Sequence, residues 1–99
     1  MRMTPIDRKA AILEAAIVAA SRYGFSNMRL HHVAGCAECS TALVIIHYDT
    51  MQWLRHLVMR AAIKRRHLTI IANGIVNGDT TALGASAKLR KEALASLSA

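Results

Sequence analysis

One tryptophan, two tyrosines, one phenylalanine, one proline and six acidic side chains are all this 99-residue chain has of those types. So few carboxylates leave little material for general acid–base chemistry. There is also no phosphate-binding glycine loop, no His-Glu-x-x-His and no nucleophile paired with a base, so no enzyme is expected. No run of about eighteen apolar residues exists, which removes the expectation of a membrane span. The start carries no charged-then-apolar leader, so a secretion signal is not expected either. Two cysteines without such a signal point to a reducing, cytoplasmic setting. No internal repeat, domain linker or low-complexity tract breaks the chain, although its last stretch is alanine-rich.

What is present is apolar and basic. Apolar residues make up 54% of the chain and many are alanine, a composition that favours close-packed helices over sheets. That is more apolar surface than so small a monomer readily hides, and a homodimer is expected. Residues 1–50 carry five basic and four acidic side chains, whereas residues 51–99 carry eight and two. A pI of 10.3 favours a polyanionic partner, which for a cytoplasmic protein means nucleic acid.

The spacing predicts five helices and an all-α fold. Thr4-Pro5-Ile6-Asp7 is a helix start, with Thr4 as cap and Pro5 in the first turn. This first helix runs to about Tyr23, where Gly24 stops it. Ile12, Leu13, Ala16, Ile17 and Ala20 recur at helical spacing as its buried face. Ser26 or Asn27 caps a second helix reaching about Cys36, and Ser40 caps a third ending near His47. Asp49-Thr50 starts a long fourth helix that continues to about Ala72, ahead of Asn73-Gly74. After the turn Asn77-Gly78-Asp79, a fifth helix runs to about Leu97.

The segment Leu30–Tyr48, LHHVAGCAECSTALVIIHY, has the spacing of a helix-turn-helix. Together with Ile12-Leu13, Ala15-Ala16, Gly24-Phe25, Val33-Ala34, Ala37, Cys39-Ser40, Val44, His47-Tyr48, Thr50 and Leu54, it resembles the amino-terminal domain of TetR-type bacterial transcriptional regulators. The register holds without a gap from residue 8 to residue 58. The resemblance implies a three-helix DNA-binding domain over residues 1–50, followed by a helical dimerisation segment over residues 51–99, forming one compact unit. Several residues depart from the family pattern. Glu38 stands at the turn glycine, Ile45 at a phosphate-contacting tyrosine, Met51 at a phosphate-contacting lysine and Met28 at a threonine. Arg29, next to Met28, can replace part of the lost phosphate contact.

The third helix, Ser40 to His47, contains no Arg, Lys, Asn or Gln, the types that give the strongest bidentate base contacts. Thr41 remains as a polar contact, Ala42 and Ile45 or Ile46 can meet thymine methyls, and His47 can approach a phosphate or base edge. Such a surface suits A·T-rich sites. Leu43, Val44 and Ile46 also have a plain reading as core, strongest for Val44. In the fourth helix Gln52, His56, Arg60 and Lys64 form a polar stripe, opposite Trp53, Leu54, Leu57, Val58, Ala61 and Leu68. Arg55 is close enough to the helix start to reach phosphate. Lys64-Arg65-Arg66 lies roughly 20 Å further along and steers DNA from a solvated face.

Cys36-x-x-Cys39 supplies two of the four ligands a structural zinc needs, and no strand precedes it as in a redox pair. Small thiols packing the turn fit both positions better, so neither a metal nor a cofactor is expected. His31 and His32 fit the surface beside the DNA backbone better than a ligand role.

These readings lead to a regulator that binds double-stranded promoter DNA as a homodimer, a repressor by occupancy. Its expected DNA-binding residues are Arg29, His31, Ser40, Thr41, Ala42, Ile45, His47 and Arg55. TetR-type regulators usually continue into a region that forms a ligand pocket, so from this length no small-molecule inducer is expected. The alternative is a protein-interaction module, such as an antirepressor, that keeps the fold without sequence-specific DNA reading.

Overall fold

A computed structural model describes residues 3–98 of the chain. It places seven helices and, among the described residues, no strand: α1 (Pro5–Tyr23), α2 (Leu30–Ala37), α3 (Thr41–Tyr48), α4 (Met51–Lys64), α5 (Leu68–Val76), α6 (Thr80–Leu83) and α7 (Ala87–Ser96). None of these helices is long and apolar enough to cross a membrane.

Side-chain caps set most of the helix starts. Thr4 Oγ1 accepts the Asp7 N–H at 3.1 Å, Ser40 Oγ accepts Leu43 N–H at 3.1 Å, and Thr50 Oγ1 accepts Trp53 N–H at 3.0 Å. Asp79 and Ser86 do the same for α6 and α7. Each bond satisfies an amide that the first helical turn leaves without a partner. α5 has no side-chain cap, and α2 is the other exception. It starts at Leu30, beyond the expected caps Ser26 and Asn27, and the His32 ring closes its start by accepting the Arg29 N–H at Nδ1 (2.9 Å). The Ser26 N–H is instead held by Asn73 Oδ1 at 3.1 Å, which ties the α1–α2 loop to α5.

Three helix ends share one closing geometry. Glu38, Arg66 and Gly78 have φ of 55°, 56° and 77°. The amide that follows each reaches back five residues, Cys39 to Ala34, His67 to Ala62 and Asp79 to Gly74, at 3.0, 2.8 and 2.8 Å. This is the Schellman closure, which favours glycine at its left-handed residue. Only one of the three has it.

The closure at Arg66 corrects the expected long fourth helix, which ends at Lys64 and turns into α5. Ion pairs hold the corner: Arg65 donates to both Glu14 carboxylate oxygens at 3.0 and 2.6 Å, and Arg66 pairs with Glu92 on α7. The expected fifth helix is likewise two, broken at Gly84–Ser86. Asn73-Gly74, expected as a stop, lies inside α5.

The core is one cluster running from α1 to α7. Ile12, Met28, Val33, Val44, Leu54, Val58, Met59, Ile70 and Ile71 are its largest fully buried members. α1 lies against α2 and α4, and α5 lies against α4 and α7. The buried stripe of α1 is the one its spacing predicts. Met28, read above as a lost polar contact, is a fully buried core residue.

Candidate nucleic-acid interface

α2 and α3 meet through the three residues Glu38, Cys39 and Ser40. The left-handed Glu38 ends α2, and Ser40 starts α3 in extended backbone two residues later. A sharp change of direction therefore costs only a short loop. Val33 and Ala34 on α2 and Val44 and Tyr48 on α3 are buried, so the inner faces of both helices are taken up by the core. Cys36 and Cys39 are free, half-buried and packed against that core, and Cys39 Sγ donates to the Ser40 carbonyl oxygen at 3.5 Å.

Burying Val44 and Tyr48, four residues apart, turns the opposite side of α3 to solvent. Ala42 is exposed there, and Thr41, on the same side as Val44 and Tyr48, is exposed because it opens the helix. Ile46 is 75% exposed, whereas Ile45 is half-buried, so Ile46 is the aliphatic residue that projects furthest. His47 is half-buried. Ser40 is exposed, but its hydroxyl is engaged in the cap. The period set by Val44 and Tyr48 was the signal in the sequence that separates Ile46 from Ile45.

Two anchors fix α3 against α1. The Tyr48 hydroxyl donates to the Lys9 carbonyl oxygen at 2.6 Å, and the Lys9 ammonium lies 5.4 Å from the centre of the same ring. Burial raises the phenol's pKa, which keeps it a donor.

The flanking cations divide into free and engaged. Arg29 is exposed at the start of α2. His31 is exposed and lies 4.1 Å from the His32 ring, which in turn stacks on Tyr23 at 3.9 Å with 13° between the planes. Burial first, then the charges of His31 and Arg29, lower the pKa of His32, so the stack holds a neutral imidazole.

Arg55 is half-buried and donates through Nη2 to the Met28 carbonyl oxygen at 2.6 Å, while its buried Nε has no partner. Desolvation, and secondly the nearby Arg29 charge, lower its pKa. Arg55 thus clasps α4 to the loop before α2 through Nη2, which commits part of its guanidinium to the fold. The cluster Lys64-Arg65-Arg66 also changes character, because Arg65 and Arg66 are paired with carboxylates.

Trp53 was expected on the apolar face of α4 but is 49% exposed and stacks on His56 with ring centres 5.2 Å apart. Comparison of the chain with protein-family models, with curated proteins and with solved structures finds no match.

Proposed function

We propose that this protein is a DNA-binding transcriptional regulator of TetR-like design that reads duplex DNA through the outer face of α3. The observation that carries this reading is the α2–turn–α3 unit. Its inner faces are locked into the core, and a capped eight-residue helix presents Thr41, Ala42 and Ile46 outward. A helix held this way enters a major groove with its amino-terminal residues toward the base edges. Arg29 and His31 supply exposed donors and charge beside it, and the net charge of +7 supplies long-range attraction to phosphate.

The contact set favours A·T-rich sites, since methyl groups are the complement of Ala42 and Ile46. Val76, Leu83, Leu94 and Leu97 are exposed apolar residues in the carboxy-terminal half, and a homodimer joined there would present two α3 helices to a two-fold site. Repression would come from occupancy alone.

A second reading rests on Ile46. An isoleucine 75% exposed on a helix without a bidentate base reader also suits a protein partner. Selection of bound duplexes from a random-sequence pool at physiological salt, followed by footprinting, separates the two. An enriched, protected site that Thr41→Ala alters supports DNA reading. A pool that stays random favours the interaction module.

A further inference from the structure

The polar stripe of α4, with Gln52, Arg60 and Lys64 exposed and His56 half-buried, is walled along one side. α6 and the Gly84-Ala85 turn lie alongside it and form two adjoining clefts of about 440 and 420 Å³, which share His56 and Thr81. A 2.9 Å hydrogen bond between the Thr81 hydroxyl and His56 Nδ1 forms the floor between them. The first cleft carries Trp53, stacked on His56 and half exposed, beside the half-buried Arg55. The second is cationic, lined by Arg60 and Lys64. Asp79 is the acidic residue on the wall of the first cleft, and one of its carboxylate oxygens accepts the Ala82 N–H at 2.9 Å. Arg60 follows Trp53 by two helical turns, about 10 Å along the axis.

We propose that this trough binds a small molecule in which a planar aromatic ring is joined by a short linker to an anionic group. The ring lies against Trp53 and His56, and the anion lies between Arg60 and Lys64. An indole face and an imidazole attract flat rings. Two cations in a cleft whose lining includes no carboxylate select a negative charge, and Arg60 offers it a bidentate fork. A nucleoside monophosphate and an arylalkyl carboxylate both carry this chemistry. The site is separate from the outer face of α3 and does not depend on DNA reading. It departs from the expectation, drawn from chain length, of no small-molecule ligand.

Trp53 is the chain's one tryptophan, so its fluorescence reports on this trough alone. Adenosine 5′-monophosphate and 3-phenylpropionate, titrated separately up to about 10 mM, test the two sources of this chemistry. The expected result is saturable quenching by at least one of them, with the better ligand identifying the source. The neutral ring compound, adenosine or 3-phenylpropanol, binds about tenfold more weakly. Arg60→Gln combined with Lys64→Gln also weakens binding about tenfold, with an unchanged helical circular-dichroism signal. Amide shifts in the unsubstituted protein, which do not depend on how the variant folds, are confined to residues 50–64 and 79–85. No saturable quenching by either acid, equal binding of the neutral compounds, or amide shifts centred elsewhere would overturn the proposal.

Discussion

The Tyr48 hydroxyl, at the last turn of α3, donates to the carbonyl oxygen of Lys9 in the second turn of α1 at 2.6 Å. α3 has only eight residues, too few to be stable alone, so its orientation depends on what it is pinned to. The ring fills the gap between the helices while the hydroxyl sets the angle. Tyr48→Phe keeps the ring and loses the bond, and is expected to lower unfolding free energy by about 1 kcal/mol. Tyr48→Ala also opens a cavity and costs about 3–5 kcal/mol. Urea unfolding of the two variants measures both. No loss in Tyr48→Phe would show that the hydroxyl contributes nothing, and equal losses that the ring contributes nothing.

Arg29 and Arg55, grouped together by the sequence, separate in the structure. Arg29 is exposed, so Arg29→Ala should leave stability within about 0.5 kcal/mol. On the DNA-binding reading it lowers affinity for all sequences alike and reduces the salt slope by about one. Arg55→Ala removes a charged donor from the Met28 carbonyl and is expected to cost about 1.5–3 kcal/mol of stability. Paired urea melts and salt-dependent gel shifts tell these effects apart. A stability loss at Arg29, or none at Arg55, reverses the assignment.

The starts of α1, α3, α4 and α6 and the buried face of α1 were legible because they are written locally. A hydroxyl or carboxylate three residues ahead of an unpaired amide, or apolar residues three and four apart, need no knowledge of the rest of the fold. The corner at Arg65–His67 was not legible, since no glycine or proline marks it. It is held by Glu14 and Glu92, residues distant in sequence, and by a 3.1 Å contact between Ser21 Oγ and His67 Nε2. Asn73-Gly74 misled for the opposite reason. The pair reads as a turn, but Asn73 serves as an acceptor for Ser26 and Gly74 lets helices approach. At the candidate interface the spacing showed which residues share α3, while the engaged state of Arg55 depended on a carbonyl 27 residues away.

Acid should destabilise the fold in two stages. His32 has its pKa lowered from 6.5, so the unfolded chain takes up this proton first as pH falls. Its contribution is complete above pH 6.5 and is lost as pH drops through the lower folded value. Protonation at Nδ1 also ends its acceptance of the Arg29 N–H. Glu14, lowered from 4.5 chiefly by its hydrogen bond with Arg65, is the second stage, lost below pH 4.5. Urea midpoints followed through the acid range should fall in both windows. In His32→Asn, whose amide oxygen can accept the same N–H, the upper stage should disappear and the lower one persist.

Glu38 occupies a left-handed position that glycine would take without strain. Glu38→Gly is expected to raise stability by about 1 kcal/mol. The turn geometry is already set by the Cys39–Ala34 bond, so the interface should keep its shape. A thermal melt of the variant measures the gain. A loss instead would mean that the Glu38 side chain carries an interaction of its own.

Gly74 is the converse, a glycine within a helix where propensity alone favours alanine by about 1 kcal/mol. Two neighbours outweigh that preference. A Cβ at this position would stand 2.9 Å from the Ala82 Cβ and would collide with the end of Met59. Met59 is flexible at its tip, but it is fully buried and has little room to retreat, and Ala82 belongs to a helix held by the Asp79 cap. Forcing a methyl between them costs about 1–3 kcal/mol, so Gly74→Ala should be destabilising on balance. The neighbour that yields identifies the obstacle. Met59→Ala should make the Gly74→Ala change nearly neutral, with a coupling energy of about 1 kcal/mol or more in the double-mutant cycle. If the two changes simply add, α6 rather than Met59 sets the limit, and Ala82→Gly should rescue instead.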